Sequence, residues 1–237
     1  MCFVIKSSSE FLSIVNDSIS QVFSMQVFDF STLYTNIDQD AIISHLFQLF
    51  DLVFNCSSRR FLCVGWNRNF FAHKTYDGYH CFDLSQFKDA IKFIVKEVYV
   101  VFGDIAFKQT RGIPMAGNSS PLLADLFLMH CEFVFMKRLL ADKKCGLARL
   151  LSSTTRYIDD LCIFNYKHFH TLISKIYPVD LVADRSGVYH KSVDYLDVKL
   201  EVCQDGLHSS VYHKVDAFSF DVVLFTFPES LLPCRLA

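Results

Sequence analysis

The sequence lacks any uninterrupted apolar run long enough to cross a membrane. A transmembrane helix needs about 18 or more consecutive apolar residues, and the longest apolar stretches, 91–102 and 127–140, are broken by Lys, Glu, His and Arg. The segment 1–6 contains only an apolar trio, so we expect no signal peptide. Internal repeats and Pro/Gly-rich linkers are also missing. These absences favour one continuous domain over 1–237, without a membrane partner.

The cysteine pattern is not that of a secreted disulfide framework or of a common zinc finger. The chain has nine cysteines and no Cys-x-x-Cys pair. We therefore expect reduced cysteines in an intracellular protein, with nucleus and cytoplasm both left open. A zinc site among Cys56, Cys63, His73, His80 and Cys81 is conceivable, but their separations favour core cysteines and surface histidines.

Neither sign of charge is in excess. The chain has 23 Lys and Arg against 25 Asp and Glu, and its net charge is −2. Because nucleic-acid-binding proteins generally carry a basic face, this balance does not by itself indicate one. Hydrophobic residues, in contrast, make up 51% of the chain, with 25 phenylalanines. Such a composition indicates a folded protein with a large core and excludes a disordered one.

Strand-like segments alternate with long amphipathic segments along the chain. We expect strands at 22–30, twice within 60–73, and at 105–109, 154–158, 161–165, 193–203 and 207–213, the last two joined by a turn at 204–206. We expect helices at 38–50, 85–101, 119–141 and 169–177. This order predicts an α+β fold in which helices pack on an antiparallel sheet.

The strongest chemical signal is Tyr157-Ile158-Asp159-Asp160, between two apolar strands. Adjacent carboxylates repel each other and need water or a cation for neutralisation, and Mg²⁺ prefers hard oxygen ligands of this kind. If the pair stood alone, an ordinary solvated Asp-Asp turn would be the better explanation. What favours a functional site is a second carboxylate, Asp29, at the end of another apolar strand, where an unpaired charge is costly. Asp29 and Asp159 on neighbouring strands could hold two cations about 4 Å apart, which suits phosphoryl transfer.

A glycine-containing segment lies between the two acidic elements. It runs from Gln109 through Gly112 and Gly117 to a helix that starts near Ser120-Pro121. Glycine allows the backbone to approach a flat or charged ligand closely, and a helix N-terminus favours anions. Alone, the pattern is typical of a loop with a helix cap. Its position between the acidic elements makes it a candidate nucleotide-binding platform.

In this order, the three segments resemble motifs A, B and C of reverse transcriptases. Motif A is similar at Asp29 and Tyr34, motif B at Gly112 and 120–124, and motif C at 157–160. The amino-acid sequences of 33–37, 156–160 and 195–198 are similar to those of the Penelope-like retroelement branch in particular. The resemblance covers most of the chain, and it implies a polymerase palm with a core at about 22–203.

The resemblance also implies roles for individual residues. Asp29, Asp159 and the Phe30 carbonyl would bind two Mg²⁺ ions, for which Mn²⁺ can substitute, with Asp160 adjacent. The backbone amides of Thr32 and Leu33 would meet the triphosphate. Tyr34 would be the steric gate against a ribose 2′-hydroxyl. Arg111 and Gly112 would lie beside the incoming nucleotide, 195–200 would be the primer grip, and Lys191 is a candidate general acid.

The implied activity is RNA-directed DNA synthesis from dNTPs on an RNA template with a DNA primer. Only 28 residues precede Asp29 and 22 follow Val215, so we expect a truncated domain whose fingers and thumb are largely missing. An endonuclease domain is expected as a further partner in mobile relatives.

Two alternatives remain open. One is an RNA-dependent RNA polymerase, but such enzymes usually have a second Asp five residues after the first, where this chain has Tyr34. The other is a catalytically inactive palm remnant that binds RNA or a protein. The retained aspartates favour the enzyme, whereas the missing subdomains favour the remnant.

Overall fold

The computed structural model describes residues 3–18, 22–115, 117–186, 191–204 and 206–212. These ranges contain seven helices: α1 (Ser8–Ser18), α2 (Leu33–Asn36), α3 (Gln39–Ser57), α4 (Leu84–Lys96), α5 (Ser120–Ala141), α6 (Cys145–Leu151) and α7 (His170–Ile176). They also contain twelve strands: β1 (Met25–Asp29), β2 (Phe61–Val64), β3 (Asn69–Ala72), β4 (His80–Phe82), β5 (Tyr99–Phe102), β6 (Ile105–Lys108), β7 (Thr155–Tyr157), β8 (Asp160–Phe164), β9 (Asp184–Ser186), β10 (Ser192–Tyr195), β11 (Val198–Val202) and β12 (Leu207–Val211). These strands pair antiparallel, so the predicted α+β class is confirmed.

Polar caps set the starts of the two helices that follow motif A. The Asp38 carboxylate accepts a hydrogen bond from the Ala41 amide at 2.8 Å and starts α3, as predicted. Helix α4 is capped two residues earlier than predicted, because Asp83 and Gln86 form a capping box in place of a cap at Ser85. The predicted extension of this helix to Val101 is wrong. The aromatic and β-branched residues of β5 pair with β6 instead, which suits their strand propensity.

The central sheet has the strand order β7-β8-β1-β9, with β1 buried in its middle. Side chains of a strand alternate between its two faces. Phe28 belongs to the larger core cluster, together with Leu46 of α3 and Phe127 of α5. Met25 and Val27 point to the other side and belong to a second cluster. Because both faces are covered, β1 reads as a continuous apolar run that ends at the carboxylate.

The second face of the sheet is covered by α1 and by the sheet β10-β11-β12. The Phe11 ring of α1 lies 4.7 Å from the Tyr195 ring, centroid to centroid. The predicted single strand at 193–203 is wrong, since the chain turns at Leu196-Asp197 and forms two strands. Leu196 has a φ of 56°, a turn conformation that its side chain does not signal. Of the turn at 204–206, Asp205 lies outside the described residues, as does His213.

Two small sheets, β3-β2-β4 and β5-β6, complete the described fold. Cys63 and Cys81 lie opposite each other on β2 and β4 and form a disulfide. The expectation that all cysteines are reduced is therefore wrong for this pair. Cys56 is exposed and free. Within the described ranges, no three His, Cys, Asp or Glu side chains form a metal-binding group, so the zinc alternative has no support.

Helix α5 is the longest helix, with 22 residues, and it runs through the larger core. Its buried residues include Glu132, so it is not a purely apolar segment. None of the helices in the described part of the chain has both the length and the apolarity that crossing a bilayer requires.

Candidate active site

Three aspartates lie side by side on three neighbouring strands. Asp29, the last residue of β1, is directly opposite Asp160 of β8 and directly opposite Asp184 of β9. Directly opposed residues of antiparallel strands have side chains on the same face, where like charges destabilise the pairing. Strand pairing therefore concentrates negative charge at one end of the sheet, and a bound cation would relieve the repulsion.

Asp159 lies in the tight turn that joins β7 to β8. Tyr157 and Asp160 are the last paired residues, so Ile158 and Asp159 form the two-residue loop. Ile158 has a φ of 53°, a left-handed conformation that costs a β-branched residue about 1–3 kcal/mol. The Phe30 amide donates a hydrogen bond to the Asp159 carbonyl at 3.2 Å. The turn that carries Asp159 is thereby tied to the segment that follows Asp29.

Tyr34 lies in the short helix α2, close enough to the turn for its ionisation to respond to Asp159. Burial raises the pKa of Tyr34, and the negative charges of Asp159 and Asp125 raise it further. Its hydroxyl therefore stays protonated at neutral pH. The charge of the predicted metal ligand therefore acts on the predicted gate residue.

The backbone after Asp29 forms a tight turn. The Leu33 amide donates to the Phe30 carbonyl at 3.2 Å, and the Asn36 amide donates to the Thr32 carbonyl at 3.0 Å. Because the Leu33 amide already donates to the Phe30 carbonyl, it could donate to a phosphate only if that hydrogen bond broke. A carbonyl has two lone pairs, so Phe30 could still offer its oxygen to a cation.

Gly112 packs directly against the segment that contains Tyr34. Its amide donates to the Ile37 carbonyl at 3.0 Å, and the Ile113 amide donates to the Tyr34 carbonyl at 2.8 Å. A Cβ at position 112 would collide with the carbonyl oxygens of Tyr34 and Thr35, and its φ of 72° also favours glycine. The segment around Gly112 is therefore held against the segment 34–37 by backbone contacts that only glycine permits.

Arg111 points away from this backbone junction. Its guanidinium lies 3.9 Å from the Asp180 carboxylate, and both side chains are exposed. Exposed ion pairs of this kind contribute little to stability. The structure thus brings together Asp29, Asp159 and Tyr34 and pairs Arg111 with a different carboxylate.

A fully buried ion pair lies beneath the turn that carries Asp159, and it was not predicted from the sequence. Arg156 Nε donates to Glu132 Oε1 at 2.5 Å, and both side chains are 0% exposed. Glu132 also accepts from the Tyr177 hydroxyl at 3.1 Å and from the Phe3 amide at 3.3 Å. Burial is the largest single effect and would lower the pKa of Arg156, but the charge and hydrogen bond of Glu132, together with Tyr177 and Asp125, outweigh it and raise the pKa. A buried pair is stable only with such additional hydrogen bonds.

The same guanidinium holds the turn. Arg156 Nη1 donates to the Ile158 carbonyl at 2.8 Å and to the Asp125 carboxylate at 2.6 Å. Ile158 is the left-handed residue directly before Asp159, so the guanidinium stabilises the conformation that costs most at this site. The signal available in the sequence was Glu132, the one residue among Asp, Glu, Lys and Arg in the stretch 126–136 of this helix.

Asp160 is fixed from the other side of the sheet. The Tyr195 hydroxyl donates to the Asp160 carbonyl at 3.2 Å, and Tyr195 is buried. A cleft of about 420 Å³ borders Asp160 and is lined by Tyr157, Asp197 and the segment 6–8. The predicted primer-grip segment therefore begins next to the acidic end of the sheet. Lys191 lies four residues from Tyr195, roughly 13 Å along the strand.

The donor atoms are of the kind that Mg²⁺ prefers, but they do not form a complete cage. In the part of the chain that the structure describes, no three acidic, His or Cys side chains form a metal-binding group. Mg²⁺ usually takes only one or two protein carboxylates and completes its shell with water and substrate phosphates. Asp29 and Asp159 are enough to fit that pattern.

No family model matches the sequence, and no curated protein matches it either. Solved telomerase structures do match the fold. Telomerase from Candida albicans in complex with a TWJ fragment of telomeric RNA has a TM-score of 0.59 at 15% identity, over 84% of this chain and 34% of that one. Apo telomerase from Candida tropicalis, truncated from the C-terminal domain, has a TM-score of 0.53 at 11% identity, over 88% of this chain and 41% of that one.

A third structure, telomerase from Candida tropicalis in complex with a TWJ fragment of telomeric RNA, has a TM-score of 0.55 at 11% identity. It covers 95% of this chain and 35% of that one. The fold of this chain is therefore similar to part of these telomerase chains. At these identities the likeness concerns the fold alone, and this chain spans between a third and about two-fifths of the three telomerase chains.

We expect Arg156→Met to lower the free energy of unfolding by about 3–5 kcal/mol, because it leaves Glu132 buried without its partner. The double variant Arg156→Met/Glu132→Leu should recover much of this loss, since it removes both charges. Urea unfolding followed by circular dichroism measures the effect. Arg149→Met, at an exposed arginine of α6, is the matched control and should change stability by less than about 0.5 kcal/mol. Equal stabilities for Arg156→Met and Arg149→Met would contradict the ion-pair assignment.

Proposed function

We propose that this chain is the palm region of an RNA-directed DNA polymerase of a retroelement, similar to the Penelope-like branch. The proposed reaction transfers a nucleotide from a dNTP to the 3′-hydroxyl of a DNA primer on an RNA template. The observation that carries the proposal is the strand register that sets Asp29 opposite Asp160, with Asp159 in the adjoining turn. The reverse-transcriptase-like fold of the telomerase neighbours supports it.

In this proposal Asp29 and Asp159 hold two Mg²⁺ ions, with the Phe30 carbonyl as a further oxygen donor and Asp160 alongside. When bound, the ions supply Lewis acidity toward the primer hydroxyl and the triphosphate, and Mn²⁺ can substitute. The chain's own contribution is to keep the carboxylates in place. Arg156 fixes the turn before Asp159 through the Ile158 carbonyl, and Tyr195 fixes the backbone of Asp160.

Substrate choice is assigned to the junction of motifs A and B. The Tyr34 ring would occupy the space that a ribose 2′-hydroxyl needs, which excludes ribonucleotides. Gly112 allows the motif B backbone to pack against the backbone of this tyrosine. The nucleotide would therefore bind to a backbone surface that is already in place. The Thr32 and Leu33 amides would face the triphosphate. The Leu33 amide would first have to break its hydrogen bond to the Phe30 carbonyl. Arg111 would contact the nucleotide after breaking its ion pair with Asp180.

The proposal includes a domain arrangement. The palm core extends over about 22–203, and fingers, thumb and endonuclease domains are partners that would supply most of the template–primer surface. This fits a chain that spans only 34% and 41% of two of its telomerase neighbours. It also fits a net charge of −2, since the basic surfaces would then lie in those partners.

We expect metal-dependent primer extension on an RNA template, at a low rate for the chain alone. Asp159→Ala should reduce the rate about 10³-fold or more, because a lost metal ligand removes several kcal/mol of transition-state stabilisation. Chelation of the metal should abolish extension, and Mn²⁺ should restore it. Asp104→Ala, at an exposed hairpin turn, is the control and should retain the wild-type rate.

Extension by Asp159→Ala at the wild-type rate would rule out the enzyme assignment. A folded wild-type chain that extends no primer with either metal would instead favour the inactive palm remnant. Circular dichroism of each variant distinguishes lost chemistry from lost structure.

We expect Tyr34→Ala to raise the use of ribonucleotides relative to deoxynucleotides about 10- to 100-fold, the range for opening space in a substrate pocket. The measurement compares kcat/KM for a matched rNTP and dNTP. Tyr34→Phe keeps the ring and should keep the wild-type preference. If Tyr34→Ala and Tyr34→Phe select sugars alike, Tyr34 is not the gate.

A further inference from the structure

The small sheet β3-β2-β4 carries an unusual aromatic side chain at its tip. Trp66, in the turn between β2 and β3, is 101% exposed and is the single tryptophan of the chain. Tryptophan is large and highly buried on average. A tryptophan that contacts almost nothing in its own chain is therefore available to a ligand.

Other rings lie around this turn and are held in fixed positions. The Phe70 ring lies 5.0 Å from the Tyr79 ring and 5.4 Å from the Tyr76 ring, centroid to centroid. Tyr79 packs so closely on Gly65 that a Cβ there would lie 2.5 Å from its ring. Trp66 thus projects from a preformed aromatic support.

Cations lie over the faces of these rings. The Arg68 guanidinium is 5.2 Å from the Phe70 centroid, and the Lys74 ammonium is 5.7 Å from the Tyr76 centroid. Both cations are exposed. Over residues 59–82 the basic side chains are Arg59, Arg60, Arg68 and Lys74, against Asp77 as the acidic one. A chain with a net charge of −2 therefore has a locally basic, aromatic surface here.

We infer that this aromatic–basic surface, formed by Trp66, Arg68, Phe70, Lys74, Tyr76 and Tyr79, binds single-stranded nucleic acid. A base stacks on Trp66, and the flanking phosphates contact Arg68 and Lys74. Proteins that bind single strands combine stacking rings with cations in this way, and any base can stack because each has a π-face. Duplex bases are already stacked on one another and would not reach the ring.

This inference concerns a surface separate from the aspartates and does not require nucleotide transfer. It names a site where a template strand could be held outside the proposed palm chemistry. Binding by the surface should therefore persist in Asp159→Ala and in the presence of a chelator. A failure of the proposed enzyme activity and a failure of this surface are distinguishable on that basis.

The single tryptophan gives a direct test with the full chain. Its fluorescence reports on position 66 alone, and we expect saturable quenching by single-stranded oligo(dT) and oligo(rU) of about 12 nucleotides. In anisotropy titrations with labelled oligonucleotide, Trp66→Ala should raise Kd about 5- to 150-fold. Trp66→Phe should bind more tightly than Trp66→Ala. Phe102→Ala, at a phenylalanine that is 82% exposed in the β5-β6 hairpin, is the matched control and should bind like wild type.

The salt dependence of binding tests the contribution of the two cations, Arg68 and Lys74. Arg68→Gln/Lys74→Gln should reduce the slope of log K against log salt by roughly 1.4, or 0.7 for each lost phosphate contact. Unquenched fluorescence at saturating oligonucleotide would overturn the inference and point to a protein partner. It would equally be overturned if Trp66→Ala and Phe102→Ala bound with the same Kd.

Discussion

The antiparallel register of β1 and β8 is the constraint on which the candidate site depends. It sets Asp29 opposite Asp160 and brings the Asp159 turn beside Phe30. Opposed carboxylates weaken a strand pair, so this register is held by burial. Both faces of the strands are covered, by helices on one side and by α1 and a second sheet on the other. A shift by one residue would move each side chain of the strand into the core cluster on the opposite side, where a side chain of different size packs.

A buried ion pair couples this sheet to the longest helix. Arg156 joins Glu132 of α5 to the Ile158 carbonyl in the turn, so the helix and the turn share one guanidinium. Such a pair contributes little net stability compared with an apolar core, but it fixes geometry, because removing one partner is costly. In this fold it fixes the left-handed residue next to Asp159. Positioning of the candidate metal ligand therefore extends into the core.

Local patterns were enough to predict much of the fold, including the hairpin that carries Asp159. The cap at Asp38, the helix from Ser120 and the hairpin around Asp159 follow from short-range chemistry, and the structure has all three. Interactions between distant segments were not readable from one sequence. The turn at Leu196 has no glycine to signal it, and the partner of Arg156 lies 24 residues away on a helix.

The central claim is that Asp29 and Asp159 bind divalent cations together. The most direct measurement is Mn²⁺ binding followed by electron paramagnetic resonance, for wild type, Asp29→Asn, Asp159→Asn and the control Asp104→Asn. The account requires that Mn²⁺ bind to wild type and to Asp104→Asn, and that either site variant weaken it about tenfold or more, a change of about 1.4 kcal/mol. Equal Mn²⁺ affinity in all four proteins would contradict it.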